Sequence, residues 1–154
     1  MSAQSIVQRR ITVAQWSFLQ WAVLVLGVVH IAWAIAGWII QPSFALGENA
    51  PATPVLGMDY NGWHAVAGLL LFGPAVVAAL HRHWAAWYCV IGGVGGGFVI
   101  GFWALFADHV LVFSFPNHRM DATEHIFTGV LLLALVAVQA VRDGGLRTVF
   151  APAA

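Results

Sequence analysis

The sequence predicts an all-α polytopic membrane protein: a four-transmembrane-helix bundle that forms one domain over residues 1–154, built as two tandem helix–loop–helix units. Three observations carry that reading. First, charge is scarce. Six basic and six acidic residues make only 8% of the chain, against about 25% in an ordinary soluble domain. With 61% hydrophobic residues, these charges cannot cover a water-facing surface. A soluble enzyme, a nucleic-acid binder and a disordered regulator are thereby excluded. Second, the apolar residues fall in four long runs, at about 13–40, 62–80, 84–107 and 122–141. A membrane-crossing helix needs roughly 20 such residues. Third, the arginines are asymmetric. Arg9, Arg10, Arg82, Arg142 and Arg147 fall on one side of a four-span arrangement and only Arg119 on the other.

The first run is too long for a signal-peptide core of roughly 7–15 residues. Ala34-Ile35-Ala36 resembles a cleavage site, but the apolar stretch continues through Ile40, so an uncleaved anchor is expected. Residues 41–58 contain Pro42, Pro51 and Pro54 with Gly47 and Gly57, and read as a loop. The second run has Gly73-Pro74 at its centre, which predicts a kink. His81-Arg82-His83 is a short polar turn that makes the second and third helices an antiparallel pair. The third run places Gly93, Gly97 and Gly101 on one stripe, where a second backbone approaches closely, within the bundle or on a partner. Residues 108–121 form a second loop before the fourth run.

Cytoplasmic loops carry the excess of arginine. Both termini are therefore expected in the cytoplasm, with the protein in the plasma membrane. The two long loops then face outward with Glu48, Asp59, Asp108, Asp121 and Glu124. Most tryptophans (Trp16, Trp21, Trp38, Trp63, Trp84 and Trp87) fall near span ends, as an aromatic belt; Trp33 and Trp103 lie deeper and read as packing residues.

The two outward loops lead into similar helix openings. Asp59-Tyr60-Asn61-Gly62-Trp63-His64 continues to Gly68, and Asp121-Ala122-Thr123-Glu124-His125 continues to Gly129. Aligned on histidine, both read His-x-x-x-Gly. On these residues the chain resembles the small four-helix integral membrane proteins of actinobacteria grouped only as a domain of unknown function. The resemblance spans roughly residues 15–141 and implies a membrane protein without an assigned activity.

His64 and His125 occupy equivalent depths, and Asp121 lies one turn before His125 on the same face. The plain reading is structural: Asp59 or Asn61 caps the second helix, and Asp121 with Glu124 forms a capping box on the fourth. The chemical reading is a metal site in which His64, His125 and Asp121 converge, with His30 as the deep third histidine. Zinc or copper suits such donors, and haem would use the two histidines as axial ligands with the glycines leaving room for the ring. His81, His83, His109 and His118 lie in turns or loops without fixed geometry.

The expected function is that of a non-enzymatic accessory or interaction component, with the lipid bilayer, further copies of itself or another membrane protein as partners, and no nucleic acid. The alternative is a metal- or haem-binding redox component. A small transporter or channel subunit ranks third, because the spans show only His30 as a deep ionisable group.

Overall fold

The computed structural model describes residues 16–47, 49–107, 109–110, 112–115 and 119–152. Arg9, Arg10, Glu48, Asp108 and His118 lie outside the described residues, as does the start of the first predicted span. The element order is α1 (Phe18–Ile40), β1 (Thr53–Val55), β2 (Met58–Tyr60), α2 (Gly62–Ala78), α3 (Arg82–Ile91), a π-helical segment (Gly92–Val99), α4 (Ile100–Ala104), β3 (His109–Val110), β4 (Phe113–Ser114), α5 (Arg119–Arg142) and α6 (Leu146–Phe150). The fold is mostly helical, and the two short hairpins correct the all-α expectation.

Among the described residues three helices are long and apolar enough to cross a membrane: Phe18–Ile40, the continuous run Arg82–Ala104, and Arg119–Arg142. The fourth apolar helix, α2, has 17 residues and continues through Pro74. Residues such as Leu70 (71% exposed) and Val141 (84% exposed) present an apolar outer face suited to lipid.

Capping fixes where the helices begin. Ser17 and Gln20 form a capping box on α1, and Asn61 accepts from the His64 backbone N–H on α2. The fourth helix starts earlier than its expected cap. Because α5 begins at Arg119, Asp121 is already inside its first turn.

Small residues set the packing. Gly27 on α1 sits against Ala75 and Phe72 of α2, and Gly68 of α2 against Ala34 of α1, so the two helices run antiparallel in close contact. The Gly93–Gly97–Gly101 stripe packs on α5. A Cβ placed on Gly97 would lie 2.3 Å from the Cα of Gly129, and one on Gly93 would meet Leu133 and the Gly129 carbonyl. The seam is therefore intramolecular. The core beneath it joins Leu19, Val23 and Leu26 to Ala75, Ala85, Cys89, Leu132 and Val136.

Polar ties close both ends. At the arginine-bearing end, buried Gln139 accepts from the Leu19 N–H at 3.0 Å and donates to Asp143 at 2.8 Å. Asp143 pairs with Arg82. Buried Gln20 donates to the Ala79 carbonyl at 2.9 Å. At the other end each long loop folds into a hairpin. The β1–β2 turn uses Leu56 and Gly57, both at positive φ (53° and 87°), the combination that matches strand twist in a two-residue turn. The Gly47 N–H donates to the Val112 carbonyl at 3.2 Å, and Leu46 bridges to Phe113. The two loops thus form one cover over the helix ends that carry His64, Asp121 and His125.

Candidate functional site

The second loop and three helices line a half-open cavity of about 390 Å³. Leu71 of α2, Val99, Ile100 and Trp103 of the Arg82–Ala104 helix, and Phe115 of the second loop form its apolar wall. His64, Asp121 and His125 meet at its polar end. The sequence motif that pairs the two histidines thus lies on opposite sides of one space. His64 Nε2 and His125 Nε2 each stand 3.9 Å from the same oxygen, Asp121 Oδ1.

Each of these side chains is held in place. His64 begins α2 and packs edge-on against Phe115, with ring centroids 5.4 Å apart. Its Nδ1 is buried without a hydrogen-bond partner among the described residues. His125 donates from Nδ1 to the Gly96 carbonyl at 2.8 Å, since a carbonyl can only accept. That bond fixes the tautomer. In the neutral ring Nε2 is a lone-pair acceptor, and it faces the carboxylate across the gap. The Gly96 carbonyl belongs to the π-helical segment, and π-bulges are frequent at functional sites. Asp121 has only 7% of its side chain exposed, and among the described residues no side chain donates to it at hydrogen-bond length.

Beneath this group lies a second, smaller cavity of about 40 Å³, lined by His30, Trp33, Tyr60 and Glu124 in addition to the same three residues. That is room for water, which needs only about 10–15 Å³. His30 stacks on Phe72 at 3.9 Å and donates from Nδ1 to the Leu26 carbonyl at 2.8 Å. Its Nε2 lies 3.2 Å from Glu124 Oε1, which also accepts from Thr128 Oγ1 at 2.8 Å. Because Nδ1 already carries its hydrogen, Nε2 and the carboxyl share a single proton. The Tyr60 phenol borders the same space. Burial pushes it up to about 12, with the Glu124 and Asp121 charges adding to the shift, so it stays protonated.

All four candidate residues therefore reach connected cavities, but in two groups. His30 pairs with Glu124 and does not join the other three. Glu124 does not complete a capping box, and a half-buried acid does sit within a membrane-length helix. The glycines after the histidines leave no slot for a ring: Gly129 is filled by Gly93 and Gly97, and Gly68 by Ala34. Among the described residues no three His, Cys, Asp or Glu side chains are grouped to hold a metal ion. Trp103 and Trp33 face cavities rather than serving only as packing, and the Trp33 Nε1 is buried without a partner among the described residues. Glu124, Tyr60, Trp103 and Phe115 are the site residues that sequence reasoning missed. The acid three residues after Asp121 was the available signal for the first.

No curated protein and no solved structure matches the chain. A family model described as a domain of unknown function, DUF4383, matches residues 20–138. The match covers well over half of the sequence, and the chain belongs to that family.

Proposed function

We propose that this protein is a non-enzymatic, four-span membrane protein that binds a small molecule with an apolar body and a polar head in the cavity between α2, the Arg82–Ala104 helix and α5. One observation carries the reading: a cavity of about 390 Å³ whose walls are apolar and whose polar groups are gathered at one end. Pockets with that division of labour bind small molecules, the walls supplying burial and the few polar groups orientation.

Several features support the wider frame. The order helix, hairpin, helix occurs twice, with a histidine within the first two turns of the second helix each time, in keeping with two tandem units. The antiparallel contact of α1 with α2 favours α2 as a further span, shortened because the β1–β2 hairpin takes over at its start. The arginine asymmetry favours the histidine end as the outer end, with both termini cytoplasmic in the plasma membrane. The glycine seam packs α5 and so gives no argument for self-assembly; a partner would have to use another face.

The test is equilibrium binding of 4-phenylbutanol, a neutral probe with an apolar body and one polar group, in nanodiscs of phosphatidylcholine. The parent should bind saturably. Ala67→Phe and Ile100→Trp, which fill the cavity from different helices, should not bind while keeping the parental melting temperature. Saturable binding that is equal in both variants would refute the reading. Zinc or copper is the competing occupant of the polar end, and elemental analysis of the purified protein detects either.

A further inference from the structure

Resting on that cavity reading, we propose that the site selects a cation: a lipophilic amine whose protonated nitrogen sits between His64, Asp121 and His125, with its apolar body against Leu71, Ile100 and Trp103. Asp121 offers a buried carboxylate that no described side chain satisfies at hydrogen-bond length. His125 has its Nδ1 committed to the Gly96 carbonyl, so only its Nε2 faces the carboxylate, at 3.9 Å. His64, with 10% of its side chain exposed, adds a buried ring nitrogen that has no partner among the described residues. Among the described residues, none of these side chains brings a donor within hydrogen-bond length of the carboxylate.

An ammonium group supplies three N–H donors and a positive charge, which fits this deficit. A carboxylate or phosphate would bring more acceptors and a second negative charge. A neutral alcohol would bring one hydrogen and leave the carboxylate charge unanswered.

The surrounding groups do not cancel the negative charge. Glu124 and His30 share one proton and are together neutral, and Tyr60 is a neutral phenol at ordinary pH. Arg119, on the first turn of α5, is exposed. Asp121 is the carboxylate that the polar end turns to the cavity. Trp103 and Phe115 place aromatic rings on the cavity wall, where they favour a cation further.

The test compares three probes with one body in phosphatidylcholine nanodiscs at neutral pH: 4-phenylbutylamine, 4-phenylbutanol and 4-phenylbutyrate. Each is read by equilibrium dialysis after subtraction of uptake by empty discs. The amine is expected to bind at least about tenfold tighter than the alcohol, the scale of one charge-assisted hydrogen bond in a buried site. The butyrate should bind weakest. Asp121→Asn should remove the preference for the amine, read as the ratio of amine to alcohol affinity within the same variant. The alcohol is the control for an intact cavity, and the three-probe comparison on the parent stands alone if the variant does not fold. Equal binding of amine and alcohol, or tightest binding of butyrate, overturns the cation assignment and leaves the cavity reading standing. Binding of none of the three overturns both.

Discussion

Replacing Gly97 by alanine tests the packing that builds the site. The added Cβ would lie 2.3 Å from the Gly129 Cα, 2.8 Å from its N and 3.1 Å from the His125 carbonyl oxygen. Carbon atoms pack at about 3.5–4.0 Å, so the Arg82–Ala104 helix and α5 must separate locally by more than about 1 Å. All three contacts are backbone atoms, so no side chain can rotate away. Overpacking of this kind costs about 1–3 kcal/mol, and the better helix propensity of alanine returns only about 0.5–1 kcal/mol. The neighbour Gly95 is the control, since a Cβ there meets nothing within 4 Å. Reversible unfolding in mixed micelles should show Gly97→Ala less stable than Gly95→Ala by about 2 kcal/mol. The same separation should weaken the His125–Gly96 bond and so reduce 4-phenylbutanol binding. If the two variants unfold within about 0.5 kcal/mol of each other, the close contact of the Gly97 seam with α5 is wrong.

Four further outcomes follow from particular contacts. Gln139→Leu should cost about 1–3 kcal/mol in the same unfolding assay, because it strands the Leu19 N–H and removes a donor from Asp143. The Tyr60 phenol should ionise only near pH 12, seen as the part of the alkaline absorbance change that Tyr60→Phe removes. Its folded value lies above the ordinary 10, so its contribution to stability is complete below pH 10 and is lost as pH rises toward 12. Zinc titration should show no stoichiometric site that His64→Ala or His125→Ala abolishes; a site lost in both variants would restore the metal reading. A reporter at Asn49 should lie outside and one after Ala154 inside; the same side for both would refute the four-span arrangement.

Much of this architecture was legible because membrane helices announce themselves by composition. Every apolar run became a helix, with ends shifted by a few residues where caps decide: Ser17 sets the start of α1, and α5 begins at Arg119 instead of after Asp121. The hairpins escaped because their strands have two or three residues, too short for an alternating pattern to show. Equivalent positions of His64 and His125 correctly suggested their meeting, since both helices run from the same end. The partner of His30 was not legible. An acid near a helix start fits a cap as readily as a distant imidazole, and only the packing of α1 beside α5 brings Glu124 to His30. The π-helical segment was also hidden. Its glycines read as a packing stripe, and sequence spacing gives no sign that the Gly96 carbonyl turns to His125.

The central claim is that His64, Asp121 and His125 form the polar end of one ligand-holding cavity. Photolabelling in phosphatidylcholine nanodiscs with a diazirine analogue of 4-phenylbutylamine, followed by peptide mapping, tests it most directly. The predicted result is label on Leu71, Ile100 and Trp103 that excess unlabelled amine removes. Label confined to outward-facing residues such as Leu70 and Val141, or cavity label that excess amine does not reduce, would contradict it.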